Sequence, residues 1–169
     1  QGKYDKAEPL SLRSLAILEK VYGPDHPAVA AGLNNWAVFL RDQVRAITIV
    51  YFPSKFGRAT LGKYDEAEPL SQKALEIMEN SVERNHPNLA PILNNRALVL
   101  ENQGKYEEAE PLYARSLAIS EKVLGPDHLD VAIGLHDWAG LLRDQGKYEE
   151  AEPLYVRSLA IREKCFGPD

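Results

Sequence analysis

The chain has 169 residues, 44% of them hydrophobic and 27% charged, and a net charge of −5. That length is one domain or a piece of an array, the composition is that of a globular protein, and an acidic balance with no lysine or arginine cluster argues against nucleic acid. A lone cysteine, Cys165, excludes an internal disulfide and fits a reducing, cytoplasmic compartment; no apolar run reaches the ~18 residues that span a bilayer.

From the N-terminus, the phrase Gly-Lys-Tyr-[Asp/Glu]-x-Ala-Glu-Pro-Leu opens at Gly2 and returns at Gly62, Gly104 and Gly146. The last two spacings are 42 residues and the first is 60, which is 42 plus 18. Residues 104–127 and 146–169 agree at 20 of 24 positions. Such a period means stacked copies of one supersecondary unit.

Each unit reads as two antiparallel helices, here B and A. Helix B follows Gly-Lys-Tyr with acids in its first turn (Glu107, Glu108), where the helix dipole favours them. Tyr106, Ala109, Tyr113, Leu117 and Leu124 make its apolar stripe. Pro9, Pro69, Pro111 and Pro153 fall near the unsatisfied first turn, so a slight bend is expected and no break. Gly125-Pro126 stops the helix, and Asp127 is placed to cap the next. Helix A then carries Val131, Leu135, Trp138 and Leu142 on one face.

The order along the chain is therefore helix B then A in residues 2–43, an insertion at 44–61, B then A in 62–103, B then A in 104–145, and a terminal B in 146–169. Gln1 is no natural initiator and both ends are helix B, so a fragment of a longer array is expected, or one that associates end to end through uncapped helices. The insertion, VRAITIVYFPSKFGRATL, is β-branched and aromatic, with Pro53 and Gly57 inside it. Three readings stand: an excluded surface loop, which is favoured; a sticky segment that pairs with another chain; and retained intron sequence.

Residues with chemical potential read as structural. His26, His86 and His128 share one turn position a repeat apart, which disfavours a metal site. Ser14, Ser116 and Ser158 are packing positions, each Gly-Lys-Tyr glycine is an inter-helix turn, and no nucleophile–base–orienter set is present. The expectation is no enzyme, no cofactor and no metal.

Tyr-x-x-Ala in helix B, a small Ala37, Ala97 or Ala139 in helix A, and the phrases LNNxA, GKYxEAEPLY and RSLAIxEKxxGPDHP together resemble the tetratricopeptide repeat, in the 42-residue form of kinesin light chains. The resemblance implies an all-α, right-handed superhelical solenoid of antiparallel helix pairs, with seven repeat helices plus the insertion. It also implies that the A helices line a concave, peptide-binding face. Counted from Leu33, Leu93 and Leu135, the residues looking toward that groove are Asn34, Asn35, Val38 and Arg41, then Asn94, Asn95, Leu98 and Glu101, then His136, Asp137, Gly140 and Arg143. Paired asparagines can bond the backbone of an extended peptide whatever its sequence. Arg41 and Arg143 are expected to choose acidic groups, and Arg41 to be exposed, while Glu101 and the His136-Asp137 replacement make the groove mixed in charge. Arg96 stands where Trp36 and Trp138 stand in the other A helices, and must snorkel or find a partner.

The leading functional expectation is a scaffold that holds an extended segment of a partner protein. The alternatives are a ligand-sensing array of a nucleotide-switch or effector protein, and a self-associating structural array.

Overall fold

A computed structural model describes residues 4–51, 63–82 and 85–167, with side chains for 8–42, 63–82 and 85–167, and these residues are helices joined by short turns. Seven helices occur among them: α1 (Tyr4–Tyr22), α2 (Pro27–Tyr51), α3 (Tyr64–Ser81), α4 (Leu89–Asn102), α5 (Tyr106–Leu124), α6 (Leu129–Asp144) and α7 (Tyr148–Phe166). The odd-numbered helices are the expected B helices and the even-numbered ones the A helices. They fall into two compact units, Gln1–Arg84 and Asn85–Asp169.

In the first unit α2 packs against both α1 and α3. Its buried stripe is Val29, Leu33, Trp36, Ala37 and Leu40. Gly32 lets α1 come close: a Cβ there would lie 3.1 Å from Leu15 Cδ1 and 3.2 Å from Leu18 Cδ1. In the second unit α5 packs against α4 and α6, and α6 against α7. Trp138 touches all three apolar clusters of that unit, around Leu100 and Tyr113, around Leu117 and Leu135, and around Ala139 and Ala151.

The local rules hold in most places. Acids occupy the first turns of α3, α5 and α7, and each of these helices runs through its proline. Gly125 ends α5 with φ 90°, a conformation that strains any residue with a Cβ, and its N–H donates to Glu121 O at 3.0 Å.

Two expectations need correction. The cap of α6 is His128, not Asp127: its Nδ1 accepts from Asp130 N at 3.1 Å. His26 and His86 do the same toward Ala28 N and Asn88 N. An imidazole nitrogen two atoms beyond Cβ reaches the second N–H of the turn as an aspartate oxygen would. Asp127 instead pairs with Lys164 of α7. The second correction concerns the insertion. α2 continues to Tyr51, so the first eight inserted residues, 44–51, are helix and not loop. Nothing between Gln43 and Tyr51 forbids the α conformation, and β-branching lowers helix propensity by less than about 1 kcal/mol per residue. The remainder of the insertion, 52–61, lies outside the described residues.

Equivalent polar contacts join successive repeats. Lys63 Nζ meets Glu8 at 3.6 Å, and Lys147 Nζ meets Glu110 at 3.2 Å. These are the lysine of one motif copy and the glutamate that precedes proline in the copy before it. Ser116 Oγ donates to Ala90 O at 2.7 Å and Ser158 Oγ to Ala132 O at 2.6 Å, both buried. Ser116 and Ser158 therefore do pack, and they also hydrogen-bond the preceding A helix, whereas Ser14 is exposed on α1 and departs from the expectation.

Candidate peptide-binding face

The A helices carry the expected groove residues in both units. In the second unit the polar positions of α4 and α6 meet. Asn94 Nδ2 donates to Asp137 Oδ2 at 2.9 Å, across 43 residues of sequence. This leaves Asn94 Oδ1 buried without a hydrogen-bond partner among the described residues. Two turns further along α4, Glu101 accepts from the Tyr113 hydroxyl at 2.6 Å. Burial pushes the Glu101 carboxyl up to about 7, and the nearby charges of Asp144 and Asp137 push the same way, against the Tyr113 hydrogen bond and Arg143. Arg143 itself turns to its neighbour, with Nη2 3.1 Å from Asp144 Oδ1. His136 is exposed and meets the Tyr155 ring edge-on at 5.2 Å. Asn95 and Leu98 are half-buried, and Leu98 leans on the Ala97–Tyr113 cluster. Gly140 lies under the Tyr155 hydroxyl, which a Cβ would meet at 3.8 Å.

In the first unit α2 carries Asn34, Asn35, Val38 and Arg41. Asn35 is exposed and Val38 half-buried. Asn34 is only 8% exposed, so the register that aims it at a groove also tucks it into the packing. Arg41 departs from expectation too. Its side chain is 13% exposed, with Nη2 2.9 Å from Asp42 Oδ1. Arg41 and Arg143 thus share one arrangement, an arginine folded onto the aspartate that follows it. The repeated Arg-Asp dipeptide was the signal in the sequence. Either arginine would have to share its aspartate to take a ligand carboxylate. Arg96 is half-buried and has an interaction partner, as a charge on an apolar stripe requires.

A cleft of about 390 Å³ opens in the second unit, a feature the groove offsets do not locate. Asn94 and Asn95 of α4, Ile119 and Val123 of α5, and Ile133 and Gly134 of α6 line it. The asparagine pair therefore borders a hollow with an apolar floor. Among the described residues no group of acids, histidines and cysteines is placed to hold a metal ion, and no helix is long and apolar enough to cross a membrane.

Comparison with known proteins agrees with this architecture. The tetratricopeptide repeat model matches residues 58–101 and 89–164, and a second model of the same description matches residues 1–28. No curated protein matches in sequence. Among solved structures, the chain is similar to a Podosopora anserina protein of the kinesin light chain kind, with nearly identical TPR-like repeats: 21% identity, 99% of this chain and 90% of that one, TM-score 0.57. It is also similar to BtubC (BKLC) from P. vanneervenii, at 21% identity and TM-score 0.55 over 83% of this chain, and spans 57% of that protein's length. At this identity the likeness is one of fold. With seven helices in alternating B and A order, and a family model matched over more than half its length, the chain belongs to the tetratricopeptide repeat family.

Proposed function

We propose that the chain is a protein-interaction scaffold that holds an extended segment of a partner along its A helices. Tetratricopeptide repeats are in general such scaffolds. The observation that supports this reading is the polar face of α4 and α6, where Asn94 and Asn95 line an open cleft and Asp137 accepts a hydrogen bond from Asn94. An amide in that place can both donate to and accept from a peptide backbone, and a carboxylate accepts from its N–H groups. The free, exposed thiol of Cys165 accords with a cytoplasmic setting.

A segment selected from a peptide library and titrated into the Asn94→Ala/Asn95→Ala variant tests the reading. Affinity is expected to fall by about 1–3 kcal/mol, because peptide N–H and C=O groups lose their partners. Unchanged affinity in that variant, with binding lost on substitution of exposed residues of α5 or α7 instead, would place the site elsewhere.

A second reading, self-association, has its own support. α1 exposes Leu10, Ile17 and Val21, and α7 exposes Val156, Leu159 and Phe166. Leu159 is 57% exposed where its repeat equivalent Leu117 is 8% exposed. Ile17 shows the same contrast, 53% exposed against 2% for its equivalent Ile119.

A further inference from the structure

The cleft of the second unit has a glycine in its wall that packing does not demand. Gly134 lies inside α6 at the register where α4 carries Ile92, one residue before the stripe leucine. Glycine in a helix interior is destabilising relative to alanine. At Gly32 the crowding of Leu15 and Leu18 accounts for it. At Gly134 a Cβ would meet only Leu117 Cδ1, at 3.8 Å, an ordinary contact. What the missing side chain preserves is open volume, over a floor of Ile119 and Val123 and beside Ile133. Val123 and Ile133 each remain 43% exposed there.

The charge around the cleft has one sign. Asp130 is the charged residue that lines it. His128 Nδ1 is 3.7 Å from the Asp130 carboxylate, but it accepts the Asp130 backbone N–H and so carries no proton to neutralise that carboxylate. Asp137 follows seven residues later, two turns on and about 10 Å along the same face. Among the described residues neither aspartate is paired with a lysine or arginine, and Arg143 is held by Asp144.

Resting on the reading that a partner segment lies along α4 and α6, we propose that the cleft receives one large apolar side chain of that segment, and that Asp130 and Asp137 receive a basic residue beside it. The volume stands at the low end of small-molecule pockets and suits a single aromatic or long aliphatic group. The aspartates supply selectivity for a cation over an anion, because a like charge placed there is repelled.

The test uses the full chain and an array of end-capped nonapeptide mixtures, each fixed only at two adjacent central positions. Labelled members are titrated by fluorescence anisotropy at low salt. Pairs of Trp, Phe, Leu or Met with Arg or Lys are expected to bind roughly tenfold or more tighter than the same apolar residue beside Glu or Asp. Gly134→Ile is expected to weaken the preferred mixture by about ten- to hundredfold, the worth of one buried side chain, while Gly134→Ala changes it little. Asp130→Asn/Asp137→Asn is expected to remove the preference for a basic neighbour and to leave the apolar one. Circular dichroism of each variant confirms that it folds. Selection of acidic neighbours, or binding indifferent to Gly134→Ile while the Asn94→Ala/Asn95→Ala variant loses it, overturns this proposal and leaves the scaffold reading in place. No binding of any mixture overturns both.

Discussion

A single nitrogen on His128 illustrates how much of this fold is decided atom by atom. The first N–H groups of a helix lack partners, and Nδ1 supplies one. Replacing it should cost about what a lost cap costs. His128→Ala is expected to destabilise the chain by about 0.5–2 kcal/mol in urea unfolding, and His128→Asn to restore most of it. Asp127 looked the better cap because its type is the usual one; the choice turns on where the preceding Gly125-Pro126 turn leaves the chain, which residue type alone does not convey. Glu101 carries a second residue-scale prediction. Its folded carboxyl is raised from 4.5 to about 7, chiefly by burial. Between those values the folded chain holds a proton that the unfolded chain has released, so the contribution of this group to stability falls as pH rises through that window. Glu101→Gln is expected to flatten the difference, and to stabilise the chain relative to wild type above pH about 7. A larger loss of stability in the variant at alkaline than at acid pH would contradict this. The offsets that aim Asn94, Glu101 and Asp137 at one face were legible from the leucine register. Their mutual bonds were not, because contacts across 43 residues depend on how two helices approach.

At the scale of elements, the alternation of B and A helices was legible because each has one apolar stripe and most end at a glycine. After α2 that punctuation is missing, and there the reading failed. Residues 44–51 carry no stop signal, and α2 runs on through them to Tyr51. Foreign composition suggested a loop, yet an already formed helix propagates at little cost per residue. Deleting residues 44–61 joins Gln43 to Gly62 and restores the 42-residue spacing. The deletion variant is expected to keep its helical signal per residue and its thermal midpoint or better. A fall of several degrees would mean that the extension of α2 is needed by its neighbours. Cleft and glycine were less legible still. Gly134 stands in plain view in the sequence, but only the distance to Leu117 separates it from the crowded Gly32.

For the molecule as a whole, repeats make stability a sum of unit and junction terms. Trp138 joins three clusters of the second unit, so α5, α6 and α7 should unfold together. α1 and α7 expose apolar faces. If they associate, molar mass by light scattering should rise with concentration, and Val156→Glu/Leu159→Glu should return it to that of a single chain. A mass near 18.9 kDa at every concentration would set the self-association reading aside.

The lysine–glutamate pairs between repeats have a genetic consequence. Lys63 reaches Glu8 and Lys147 reaches Glu110, and every copy of the motif encodes both the lysine and the glutamate. One repeat therefore carries the plug and the socket of its own junction. A tandem duplication of 42 codons delivers a new unit whose two ends already match its neighbours, and no compensating substitution is needed for the charges to meet. Such a gene lengthens by copying, and near-identical stretches such as residues 104–127 and 146–169 are the trace of it.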